Sequence, residues 1–435
     1  MSVITTITSP TPNMAAVNGF FTDDGFDFLT RMAIGYAAQG VFDVGQVFAT
    51  VARVSDGDAD SWYRAWRQTA EKLHTRATAG LVAGHTETAH RLFLAAAESY
   101  AQSIAFADGM TDSSLFGPTF ALHRQCWEAF VDSSAGRIER ISVPYESTTL
   151  PGYLFRPDTS GTARPTVVLT NGSEGSISGL WAYGAGTALA RGWNAFLYDG
   201  PGQQTMLFDH NIPFRHDWEA VLTPVVDSLV ERPDVEASAL FAYGVSQAGY
   251  WVPRALAYEH RFAAAVADPG VMDVSTAWLG NLPAELIAIL QAGNKEFFNG
   301  AMAEVAAEPK MAEVMAARGR PFAKETPYDT FQAVMQYNLR DIVGTIQTPM
   351  MITNPDDEAF WPGQSTDLFA TSPVTARSCT SCGRTARTST ANRSAGPKQS
   401  SGCSTSSRTT SRQSAERAHQ SAVMGRLLPW VRAMS

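Results

Sequence analysis

The chain has 435 residues, 45% of them hydrophobic and 10% aromatic, which is long enough for one large domain with an appendage or for two domains. A formal net charge of -9 argues against a nucleic-acid or anionic-membrane partner, and no apolar run approaches the roughly 18 residues that a spanning helix needs. Cys126 is the only cysteine in the first 370 residues, which points to a reducing cytoplasm and excludes a disulfide scaffold.

The start, "MSVITTITSPTPNMAAV", lacks a basic region and a long apolar core, so residues 1–19 read as a disordered leader and not as a secretory signal. Residues 20–135 form a helical cap region. In "ADSWYRAWRQTAEKLHTRA", Trp62, Trp66, Thr69 and Leu73 recur at helical spacing, and Leu92, Ala96 and Tyr100 repeat the pattern in the next segment. Asp60 and Thr86 stand where N-caps belong. These aromatic stripes read as core.

From about 137 the period changes. "RIERISVPYE" and "LPGYLFRPD" alternate as an antiparallel opening pair. "PTVVLTNG", "NAFLYDGPGQ", "ALFAYGVS" and "FAAAVADPG" then alternate with helical stretches, and "TPMMITNPDDEAFWPGQ" adds one more strand ending in an acidic turn. Such alternation predicts an α/β fold with a mostly parallel, doubly wound sheet across residues 136–370, interrupted by a helical insertion at 275–345. From Thr371 to Ala422 the composition changes: 22 of 52 residues are Ser or Thr, and Val374 is the only large aliphatic. Residues 371–435 therefore read as an aberrant tail, disordered or out of frame, that supplies no final strand or helix to the sheet.

Chemistry belongs at the strand ends. "ALFAYGVSQAGYWVPRAL" runs an apolar strand through Gly244, Ser246 and Gly249 into an amphipathic helix, the context of a nucleophile elbow. Ala248 stands where glycine is usual, a small residue that such a turn tolerates. The Gln247 amide and the loop Asn171, Gly172, Ser173 after "VVLT" are the expected oxyanion donors, and Glu174 is placed to hold a polar substrate group. Asp199, in "LYDGPGQQ", reads as structural. By distance from its strand Asp357 is the expected acid, with Asp356, Glu358 and Asp268 as alternatives.

On these motifs, the chain from about 20 to 370 resembles the α/β-hydrolase group that contains 2,6-dihydroxypseudooxynicotine hydrolase and fungal pigment-pathway hydrolases that shorten polyketides. "TNGSEGS", "YDGPGQQ", "DWEAVLTPVVDSL", "GVSQAGYW" and "DDEAFWPGQS" carry the resemblance together. It implies a Ser–Asp–His triad, a helical cap, a homodimer, a small-molecule substrate and no cofactor. Carbon–carbon bond hydrolysis of a diketone, polyketide-like or aromatic ketone is then expected first. Ester or amide hydrolysis is the alternative within the class, and an inactive or binding-only protein is the alternative outside it.

The group tends to place its histidine a few tens of residues after the acid, in a His-Cys-Glu-Pro run, but "CGRTARTSTANRSAGP" holds no histidine. Written with GC-rich codons and read from the third base, the stretch from Ala386 permits E-D-V-H-C-E-P, its histidine codon spanning Ser389 and Thr390. A frameshift near Thr371 thus explains both the composition and the missing base. His419 is the weak candidate in the chain as written, far beyond Asp357. A zinc site from Cys379, Cys382, Cys403 and His419 is disfavoured by irregular spacing, so no metal is expected. His210, His216 and His260 read as surface or packing residues, with His216 the one placed to face the site.

Overall fold

The computed structural model describes side chains and backbone for residues 19–356 and 358–373, and backbone alone for 377–380. One sheet carries the strands β1 (Ile138–Tyr145), β2 (Thr148–Phe155), β3 (Arg164–Thr170), β4 (Asn194–Tyr198), β5 (Val235–Val245), β6 (Ala264–Asp268), β7 (Met350–Asn354) and β8 (Arg377–Thr380). Their order is β1-β2-β4-β3-β5-β6-β7-β8. The first two strands form the expected antiparallel hairpin, β2 runs antiparallel to β4, and every other pairing is parallel. This is the α/β-hydrolase fold.

Parallel strands need crossovers, and the helices that make them cover both faces of the sheet. Val167, Leu169, Leu197, Phe241 and Tyr243 face one way and pack with Trp62, Trp127 and Phe130 of the N-terminal helices. Val168, Phe196, Leu240 and Ala242 face the other way, onto Trp218, Val225, Trp251 and Leu256. The alternation of Val167, Val168 and Leu169 is the two-residue period of a strand. The helical block is thus one of the sheet's two covering layers.

Within that block the helix Ala59–Val82 buries Trp62, Trp66, Thr69 and Leu73 as their spacing predicts. Its cap is Asp58, whose carboxylate accepts from the Ser61 amide at 3.1 Å. Asp60 instead accepts from the Thr111 amide and hydroxyl, tying down a distant loop. The helix Thr86–Ser103 follows His85, which makes no side-chain cap. Helices between Thr276 and Val334 form a small cluster of Leu286, Leu290, Phe298, Met302 and Phe331, while Phe322 and Val334 join the sheet's second core.

One expectation is overturned. The tail was expected to give the sheet no further strand, yet β8 pairs in parallel with β7, with Met351 opposite Arg377 and Asn354 opposite Thr380. The ladder is made by backbone N–H and C=O groups, so a polar segment can occupy an open edge without apolar side chains. Among the described residues no helix is long and apolar enough to cross a membrane.

Candidate active site

Ser246 ends β5 at a sharp turn into the helix Ala248–Leu256, with φ at +56°. That left-handed conformation costs a non-glycine residue about 1–3 kcal/mol and persists where the surroundings impose it. Here they do. The Ser246 amide donates to the Asp268 carbonyl at 2.6 Å, and the Ser246 carbonyl accepts from the Gly249 amide at 2.8 Å. The flanking small residues are required by contact: a Cβ on Gly244 would lie 2.3 Å from the Ala248 carbonyl oxygen, and one on Gly249 would lie 1.8 Å from that of Pro269. Ala248 is fully buried, so its methyl fits where glycine is usual.

The loop after β3 presses against the serine. A Cβ on Gly172 would sit 2.8 Å from the Ser246 Cβ and 3.3 Å from its Oγ. The Gly172 amide donates to the Asn171 side chain at 3.0 Å and is therefore occupied. Gln203 Nε2 donates to the carbonyls of Asn171 (2.7 Å) and Gly172 (3.1 Å). A planar trans peptide that holds its carbonyl on Gln203 turns the Ser173 N–H to the opposite side. The amides of Ser173 and Gln247 take no part in the backbone hydrogen bonds of these turns. The expected donor set thus narrows: Ser173 and Gln247 are open, Gly172 supplies close approach, and Asn171 braces the loop.

The Glu174 side chain keeps contact with solvent while protein packs around its carboxyl group. Burial raises its carboxyl pKa, Arg318 and Arg320 pull it back, and Asp108 pushes it up. Asp108 and Arg320 also rim a cavity of about 600 Å³ walled by Phe116, Phe120 and Phe208. Phe116 and Phe120 lie parallel at 6.1 Å, with Phe208 edge-on to both. Neither Ser246 nor Gly172 lines this cavity. Arg124 in its wall pairs with Asp199 at 3.0 Å, the structural role expected of that aspartate.

Among the candidate acids, Asp357 lies outside the described residues. Asp356 is exposed. Glu358 accepts the Phe360 and Trp361 amides at 2.9 and 3.1 Å, closing its own turn; burial raises its carboxyl pKa, and nearby Asp268 adds to that. Asp268 touches the elbow through its backbone, and its carboxylate bridges the hydroxyls of Tyr243 and Thr353 (2.5 Å to the latter). Sequence reading gave no hint of those two hydroxyls, which come from neighbouring strands.

Among the described residues the histidines sit elsewhere. His90 and His123 bond backbone carbonyls inside the helical block, and His74 packs on Phe93 and Tyr100. His85 precedes a helix, while His210 and His260 are exposed. His216 packs against Tyr337, and none of these imidazoles is hydrogen-bonded to Ser246. His419 lies outside the described residues. Among the described residues no three His, Cys, Asp or Glu side chains group as metal ligands.

No protein-family model matches the chain. It is 27% identical over 357 residues to hydrolase LUC6 of a Fusarium species, covering 79% of this chain and 85% of that protein. It is 28% identical over 355 residues to 20-hydroxy-prefusarin hydrolase FUS2 of Gibberella moniliformis, covering 78% and 84%. Among solved structures, 2,6-dihydroxy-pseudo-oxynicotine hydrolase superposes with a TM-score of 0.64 at 18% identity, over 79% of this chain and 87% of that one. That likeness concerns the fold.

Proposed function

Since this chain is a hydrolase of the α/β-hydrolase fold, we propose that Ser246 is its nucleophile and that a ketone carbonyl is its target. The Ser246 Oγ bonds to the carbonyl carbon and yields its proton to a base, while the amides of Ser173 and Gln247 hold the oxyanion. Collapse breaks a carbon–carbon bond, the departing enolate takes a proton, and water releases the acyl group as a carboxylic acid. The substrate class is a diketone, a polyketide-like compound or an aromatic ketone. In support of hydrolysis, one relative is named a 20-hydroxy-prefusarin hydrolase. The proposal rests chiefly on the elbow, with Ser246 at φ +56° and Gly172 packed against it.

Asp357 is the proposed orienting acid, and the imidazole it would serve is one that the neighbouring frame permits across Ser389 and Thr390. A homodimer in the cytoplasm completes this reading, and sedimentation of the purified chain as a monomer would refute the dimer.

A fluorophosphonate probe tests the nucleophile: it should label Ser246, and a Ser246→Ala variant should take up nothing. A panel of β-diketones and p-nitrophenyl esters tests the bond, and turnover of esters alone would replace carbon–carbon hydrolysis with acyl-ester hydrolysis. The placement of the seven described histidines favours a second reading, in which the chain as written binds substrate without turning it over. Rapid labelling of Ser246 in that chain would dismiss it.

A further inference from the structure

Between Asn171 and Ser176 the oxyanion loop has no regular secondary structure and contains Gly172 and Gly175, so something must hold it still. Fixing each residue costs about 1–2 kcal/mol of backbone entropy. An oxyanion donor is effective only if it is already in place when charge develops. Gln203 holds the loop from the sheet side through two carbonyls. From the other side the bracing group comes from the helical block.

We propose that Glu98, on the helix Thr86–Ser103, is a positioning residue that fixes the oxyanion loop for the reaction at Ser246. This rests on the reading of Ser246 as nucleophile. The path is continuous. Glu98 Oε2 accepts from the hydroxyls of Ser176 and Ser178 at 2.5 and 2.6 Å. Ser176 Oγ also accepts from the Gly179 amide at 2.9 Å, and the Ser176 carbonyl accepts from Asn171 Nδ2 at 2.8 Å. Asn171 Oδ1 in turn takes the Gly172 amide, and Gly172 abuts Ser246. Gly175 closes the circuit, since a Cβ there would lie 2.0 Å from Asn171 Oδ1.

The chemistry of Glu98 argues against simple packing. It is 2% exposed, and its three hydrogen-bond partners (the two serines and Gln102 Nε2) are neutral donors. A buried carboxylate without a cation is costly, and an apolar side chain would fill the same space at lower cost. Burial raises the Glu98 carboxyl pKa and the bonds from Ser176, Ser178 and Gln102 lower it again. Short bonds to a carboxyl oxygen are strong and directional, which suits a group that must hold a loop in one geometry.

Hydrogen exchange on the full chain tests this. In Glu98→Ala, amides of 172–179 should exchange at least about 10-fold faster while β5 and the helix Ala248–Leu256 keep their protection. Glu98→Gln should stay within about 3-fold of wild type, because its amide oxygen accepts both serines and a turn of the Gln102 amide brings the unpartnered Gln102 Oε1 to its NH2. If Glu98→Ala does not fold, Ser176→Ala makes the same measurement with Glu98 in place. Fluorophosphonate labelling of Ser246 should slow in step with the exchange. Unchanged exchange at 172–179 in a folded variant overturns the proposal, as does uniform acceleration across the sheet. Exchange is read whether or not Ser246 reacts, so a wild-type chain that resists labelling bears on the nucleophile and its base, while the exchange data alone decide the role of Glu98.

Discussion

Replacing Gly172 by alanine should disable the site while leaving the fold in place. The new methyl would lie 2.8 Å from the Ser246 Cβ, 3.1 Å from the Val245 carbonyl oxygen and 3.3 Å from the Ser246 Oγ. Carbon contacts settle at about 3.5–4.0 Å, so the elbow and the loop must separate by roughly 0.5–1 Å. The Ser246 Oγ can rotate away, but the two nearest atoms, the Ser246 Cβ and the Val245 carbonyl oxygen, cannot. Val245 lies in β5, and Ser246 is held by the Asp268 carbonyl. The loop must therefore give, carrying the Ser173 amide off the oxyanion position. A displacement of about 1 Å at a reacting group costs about 100-fold in rate, or about 2.7 kcal/mol. Overpacking should cost about 1–3 kcal/mol of stability. The assay is the fluorophosphonate labelling rate of Ser246 beside thermal unfolding, with Gly35→Ala as control. Gly35 lies in the helix Asp24–Tyr36, and a methyl there would meet nothing within 4 Å, so that change should leave labelling alone. Wild-type labelling by Gly172→Ala would refute the packing argument.

Arg124→Met should destabilise the chain by about 3–5 kcal/mol in denaturant unfolding, because Asp199 is left as a buried charge; adding Asp199→Asn should recover part of that loss. Burial pushes the His123 pKa down to about 3, with Arg124 adding to the effect. Its contribution is therefore fully present above about pH 6.5 and is lost as pH falls towards the depressed value, so His123→Gln should flatten the pH dependence of thermal stability over that interval. Resequencing the codons from 360 to the stop should find one inserted or missing base that restores a histidine near 389, and an intact frame would remove that imidazole from the proposal.

Some of the fold was legible because its physics is local. A strand buried on both faces must be apolar throughout, so "PTVVLT" and "ALFAYGV" announced β3 and β5, and the helices between them forced a parallel sheet. The elbow was legible for a steric reason. Backbone atoms approach Gly244 and Gly249 so closely that the sequence has to show small residues there. Strand β8 was not legible, since backbone pairing leaves no apolar signature in Arg377–Thr380.

The same contrast separates the parts of the site. A nucleophile and its flanking glycines sit within a few residues of one another, whereas the groups that hold the oxyanion loop arrive from far along the chain. Glu98 meets Ser176 and Ser178 across 78 and 80 residues, and Gln203 meets Gly172 across 31. A buried glutamate in an Ala-rich helix looks like one more exposed charge until the opposing serines are known, and Gln203 looks like part of a turn. Sequence therefore names a candidate nucleophile more readily than the residues that brace the loop beside it. Because the loop is held by Gln203 of the turn after β4 on one side and by Glu98 of the helical block on the other, substitutions that shift that helix against the turn should, on the proposed reading, change the labelling rate at Ser246 without touching substrate.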